Sequence, residues 1–144
     1  MPTLFQLAFA LATPFWALMI VAPGWSWTQR IVGSPLIVVP IIVLWLVIAI
    51  PRMAVLWPLV SSPSLGSLQA AMVDGGIVTL VWAQVIAWDL FIGRWMYLES
   101  RKAGIHPLVM APVLIVTILL SPIGFLVFVV VRRARAVTPV GSRP

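Results

Sequence analysis

Cysteine is missing from this 144-residue chain, and only three side chains are acidic. The first absence excludes disulfides, thiol nucleophiles and thiolate metal sites. There is one histidine, His106, beside Pro107 in a loop. A lone His with no second one near it makes a poor zinc ligand set, so no metal site is expected. No nucleophile motif, glycine-rich phosphate loop or paired carboxylate occurs, and no cofactor is expected. Charged residues make up 8% of the chain, against ~25% in an average soluble domain. So few charges cannot cover a surface that faces water.

What is present points to an integral membrane protein, since 62% of residues are apolar. Nine basic residues give a net charge of +6. Nucleic acid is not among the expected partners, because these residues are scattered at the ends of apolar spans rather than gathered on one face. Arg132, Arg133 and Arg135 follow the last span, a pattern of charge that fixes orientation in a bilayer. The N-terminal stretch MPTLFQLAFALATPFW has no Lys or Arg before its apolar run. It lacks the basic start of a signal peptide and the Arg/Ser-rich character of a transit peptide. Direct insertion, and a bacterial inner membrane rather than an organelle, are expected.

A hydrocarbon core of ~30 Å takes ~20 apolar residues in helix. Four such spans are expected, at about 4–22, 35–51, 77–98 and 108–131, forming a single transmembrane domain with a flexible tail over 132–144. The first stops at Pro23-Gly24, with Trp25 and Trp27 where interfacial aromatics belong. The second opens at Pro35 and ends near Ile50, with Arg52 at the water boundary. Pro58, Ser61, Ser62, Pro63 and Gly66 argue against a further full span, and Ser67–Val73 is expected as a short surface or re-entrant helix. Asp74 is an N-cap for the third span. Pro14, Pro40, Pro112 and Pro122 fall inside spans and are expected to kink them. The predicted class is therefore an all-α polytopic membrane protein with four kinked, proline-containing transmembrane helices. Four crossings return both termini to one side, and the count of basic residues makes that side the cytoplasm.

The third span, VWAQVIAWDLFIGRWMYLES over 81–100, is apolar yet contains Asp89 and Arg94. From a start near Ile77, Asp89 lies about 18 Å along the axis and Arg94 about 26 Å. Arg94 is close enough to the far interface to snorkel. Asp89 is not. An ionised carboxylate at that depth costs ~2.5–3.5 kcal/mol on insertion scales, so Asp89 should face the bundle interior, protonated or paired. Five residues separate Asp89 from Arg94, about 140° around the helix, so they do not form a direct bridge. Thr117 and Ser121 are the candidate partners for a structural hydrogen bond. Gly93, one turn from Asp89, lets another helix or a ligand come close. Trp82 and Met96 share the Asp89 face, and Trp88 and Trp95 form a neighbouring stripe. These tryptophans face lipid, pack in the bundle, or line a ligand.

WDLFIGRWMYLES at 88–100, GIHPL at 104–108 and LIVTILLSPIGFLVFVVVRR at 114–133 resemble the ABA4-like family. The core of the resemblance is Asp89-Leu90-Phe91 with Gly93-Arg94-Trp95. Pro122 and Gly124 carry the second part and are expected to be structural. The resemblance is good over about 75–133 and rests on span layout before that. Ser121 departs from the family's usual Gly before Pro. The family's plant member is required to make neoxanthin from violaxanthin, an epoxide-to-allene isomerisation that needs an acid and a base but no redox cofactor. The resemblance therefore implies a carotenoid or other isoprenoid as partner, besides membrane lipid. It offers Asp89 and Arg94 as catalytic residues, and Trp82, Trp88, Gly93 and Trp95 as substrate-binding residues. The residues leave other readings open: a non-enzymatic, pigment- or lipid-binding membrane subunit, homo- or hetero-oligomeric, with Asp89 as structural glue, or a small proton-coupled transporter.

Overall fold

The computed structural model describes residues 1–137, and every regular element among them is helical. Helix α1 spans Pro2–Val21, α2 Ser26–Gly33, α3 Val39–Ala49, α4 Met53–Ser61, α5 Leu65–Ala71, α6 Gly75–Lys102, α7 Pro107–Leu119 and α8 Ser121–Val137. Two compact units can be distinguished: Met1–Thr13 with Val38–Trp88, and Pro14–Ile37 with the chain from Asp89 onward. Among the described residues, three helical stretches are long and apolar enough to cross a membrane: Pro2–Val21, Pro35–Ser61 and Gly75–Lys102. Many large apolar side chains on them are exposed, among them Val47, Ile50 and Trp57. Lipid suits such a surface and water does not.

In the first unit, α3 and α4 form one crossing stretch that runs through Pro51 and Arg52 rather than stopping there. A 3-10 turn at Ile50–Arg52 joins them, with the proline at its first turn where a missing N–H is tolerated. Arg52 does not reach out to water. Its Nη1 donates to the Ile48 carbonyl at 3.2 Å, and its Nε lies 3.5 Å from Asp74 Oδ2. Its guanidinium fills the space that a side chain at position 76 would need and would have to swing aside for one. Asp74 Oδ1 accepts the Gly76 N–H at 2.8 Å, the expected cap at the start of α6. Helix α5 begins two residues earlier than expected, in a capping box between Ser64 and Ser67. Ala8 and Ala12, one turn apart on α1, and Ala83 on α6 have no exposed surface. Small residues of this kind let helix backbones approach closely.

The second unit departs most from expectation. The fourth stretch is not one kinked span. It breaks at Leu120, whose backbone (φ −145°, ψ 77°) has left the helix, and Pro122 stands in the first turn of a new helix rather than inside an old one. The two helices fold back on each other. Thr117 and Gly124 are seven residues apart, about 10 Å in a continuous helix. Yet a Cβ on Gly124 would stand 2.7 Å from the Thr117 Cα and backbone N. The contacts with α6 give the directions. Thr117 of α7 meets Met96, and Ser121 reaches Asp89. Phe125 and Phe128 then meet Trp95, and Arg132 meets Glu99. So α7 runs back along α6 and α8 runs forward beside it again.

The single span expected over 108–131 is thus a helical hairpin, and the described residues hold three candidate crossings rather than four. A short helix, α2, also stands where sequence patterning gave only an interfacial loop. Of the tail expected to be flexible, Arg132–Val137 continue α8, and 138–144 lie outside the described residues.

Gly124→Ala should therefore lower stability by about 1–3 kcal/mol, as overpacking against backbone does. Denaturation followed by tryptophan fluorescence in detergent micelles would read it, and an unchanged midpoint would mean that Thr117 and Gly124 do not touch.

Candidate functional site

Asp89 begins the second unit's share of α6 and is 8% exposed. The Ser121 side chain interacts with its carboxyl. Of the two partners the sequence offered, Ser121 is the one that reaches it. Thr117 instead donates to the Val113 carbonyl in its own helix at 2.8 Å, with Met96 Sδ 3.8 Å from its hydroxyl. Ser121 is there because the chain breaks at Leu120. The break turns the first residue of α8 toward α6 at the level of Asp89.

Arg94 does not bridge to Asp89. Its Nε donates to the Val32 carbonyl at 2.8 Å and its Nη2 to the Gly33 carbonyl at 2.6 Å. These carbonyls end α2 and have no partner within their helix. A guanidinium suits them doubly, with its planar fork of donors and its charge at a helix C-terminus. One turn further along α6, the Tyr97 hydroxyl donates to the Pro23 carbonyl just after α1. Arg94 and Tyr97 together fasten the α1–α2 connection to α6.

Gly93 is explained by Trp16, whose indole occupies the space that a Cβ at position 93 would take. Trp16 is 4% exposed, so the ring has little room to withdraw. The close approach expected at Gly93 is thus made by α1. Trp95 packs on the edge of Phe128 at 5.5 Å and against Phe125 at 5.9 Å. The Arg132 guanidinium stands 5.7 Å above the same indole. Glu99 takes Arg132 at 3.0 Å and Lys102 at 2.9 Å.

The second unit therefore brings Asp89, Gly93, Arg94 and Trp95 together with Ser121, Pro122 and Gly124. Trp82 and Trp88 belong to the first unit. There Trp82 stacks on Phe5 at 5.0 Å, with its indole N–H buried and without a partner, and Trp88 is 58% exposed. His106 caps α7 by accepting the Leu108 N–H on Nδ1 at 3.1 Å. Among the described residues no cluster of metal-ligating side chains occurs.

Sequence reasoning missed Trp16 and Tyr97. Neither gives a local signal, because each is an aromatic in an apolar helix whose partner is remote in sequence. Nor does the sequence signal the pairing of Glu99 with Arg132, which comes near only when α8 doubles back.

The sequence model of the ABA DEFICIENT 4-like (ABA4-like) family matches residues 3–128. The chain belongs to this family. No curated protein and no solved structure matches it. The family match extends over the first half of the chain, where the resemblance in sequence rested on span layout alone. It takes in the three candidate crossing helices from Thr3 to Lys102, the hairpin tip, and the residues described around Asp89 and Trp95 other than Arg132.

Arg94→Lys keeps the charge but loses the fork, so one of the two α2 carbonyls is left without its donor. For this ABA4-like chain a loss of about 1.5–3 kcal/mol is expected, the range for hydrogen bonds to charged groups. Chemical unfolding in micelles would measure it, and a Lys variant as stable as the parent would show that the two bonds carry nothing.

Proposed function

We propose that this ABA4-like protein acts on a carotenoid or another isoprenoid within the membrane, with Asp89 as its intramembrane acid or base. The observation that carries the reading is a nearly buried carboxyl in an apolar crossing helix, met by a hydroxyl at the tip of a helical hairpin. Such a carboxyl is costly in hydrocarbon and is a functional candidate for that reason. The reaction the family points to is an isomerisation from epoxide to allene. A proton reaches the epoxide oxygen as its C–O bond opens, and a proton leaves a neighbouring carbon as the cumulated double bond forms. Atoms and electrons balance with no oxidant or reductant. One carboxyl can serve both transfers in turn.

Arg94 enters this reading as a positioning residue, since two of its nitrogens already hold the α2 carbonyls. Trp95, with Phe125 and Phe128 against it, offers aromatic faces for a polyene, and Trp88 offers an exposed one. We assign the protein to a bacterial inner membrane. A second reading is favoured by the Ser121 contact itself: Asp89 is a structural hydrogen-bond partner in a subunit that assists another enzyme.

The two readings separate in a carotenoid-producing bacterial host. Asp89→Asn keeps the shape and the hydrogen bond but cannot titrate. The expected result is that the wild type changes the extracted pigments and the well-inserted Asn variant does not. Conversion by the Asn variant at the wild-type level would remove Asp89 from the chemistry. Tolerance of Asn with loss of stable protein in Asp89→Leu would establish the structural role.

A further inference from the structure

Every described basic residue except Arg52 belongs to the second unit. Arg52 is matched by Asp74, so the first unit carries no net side-chain charge. In the second unit, Arg30, Arg101, Lys102, Arg132, Arg133 and Arg135 are all exposed. One acid, Glu99, faces them, and it is already engaged by Lys102 and Arg132. The hairpin gathers these cations. Helix α2, with Arg30, is held to α6 through Arg94 and Tyr97. Arg101 and Lys102 end α6. Helix α8 returns along α6, so Arg132 comes to Glu99, with Arg133 and Arg135 beyond it. A continuous fourth span would instead have carried Arg132, Arg133 and Arg135 to the other side of the bilayer from Arg101 and Lys102. Aromatic side chains mark the same end, with Trp25 and Trp27 more than half exposed and Arg30 over the Trp27 ring at 5.6 Å. Tryptophans beside clustered cations are what a headgroup layer selects.

We infer that this basic end of the second unit docks against the anionic headgroups of the cytoplasmic leaflet. The hairpin Pro107–Val137 enters and leaves the bilayer from that side. Short segments rich in Lys and Arg next to crossing helices are retained in the cytoplasm, and anionic lipid attracts them there. The six exposed cations gathered at this end set the sign. Asp89 on α6 then lies beside the inner tip of a hairpin whose two ends both open to the cytoplasm.

Because the chain has no cysteine, single cysteines can be placed in the full-length protein without altering its background. Ala103→Cys and Ala136→Cys are at exposed positions. They would be expressed in a bacterial host and treated in spheroplasts with a membrane-impermeant maleimide, before and after permeabilisation. The expected result is that both are labelled only after permeabilisation. Labelling of one with protection of the other in intact spheroplasts would show a fourth crossing and overturn the hairpin. Labelling of both in intact spheroplasts would keep the hairpin and overturn the leaflet. Replacing Arg101, Lys102, Arg133 and Arg135 with Gln should raise labelling of Ala136→Cys in intact spheroplasts several-fold. Unchanged protection there would mean that charge does not hold the orientation.

Discussion

A backbone carbonyl or N–H inside hydrocarbon has no water to bind, and this chain has few polar side chains to offer in its place. Most of those few are used at helix ends and bends. Arg94 takes the two last carbonyls of α2, Tyr97 takes the carbonyl of Pro23, and Arg52 takes that of Ile48 where α3 gives way to a 3-10 turn. Thr117 donates to Val113 one turn before the chain reverses, and Ser64 and Ser67 satisfy the start of α5. The side chains that look out of place in an apolar sequence are therefore the ones that let short helices end within a membrane protein. An element such as α2 would otherwise expose a row of unmet carbonyls.

Asp89 stands outside that pattern. A carboxylate accepts hydrogen bonds and cannot serve a carbonyl, so it does nothing for the backbone acceptors that occupy Arg94 and Tyr97. Its partner is a side-chain hydroxyl on another helix. A serine could have been held in place by a carbonyl at far lower insertion cost than an acid carries. That asymmetry gives the acid/base reading its weight against a purely structural one. It also gives Ser121 a meaning: at the start of α8 this chain presents a donor to the acid.

Three of the expected spans were legible because each is a long apolar run bounded by a physical stop. Pro23 and Gly24 end the first, Pro35 opens the second, and Asp74 caps the third. The unusual depth of Asp89 was legible by counting along the helix. The second span runs on past its expected end because Arg52 looks like a boundary in sequence but folds its charge back onto Ile48 and Asp74. The fourth failed for a deeper reason. Hydropathy integrates apolar content and is blind to direction, so a hairpin of two half-length helices and one kinked span read alike. Pro122 fits either, since proline kinks an interior and also starts a helix. What decides between them is contact over distance, with Gly124 against Thr117 and Arg132 against Glu99.

The glycines show the same limit from the other side. Gly76, Gly93 and Gly124 each leave room for something, and the sequence could say that much. It could not say that the occupants are a guanidinium, an indole and a helix backbone in turn. At Gly93 this matters for mechanism. Room one turn from Asp89 would have suited a substrate, but Trp16 already fills it. On the proposed reading, a polyene would reach Asp89 along another face of α6, where Trp95, the phenylalanines of α8 and Ser121 stand. The hairpin is then more than a support for the acid, because a shift at its tip would change the acid's partner.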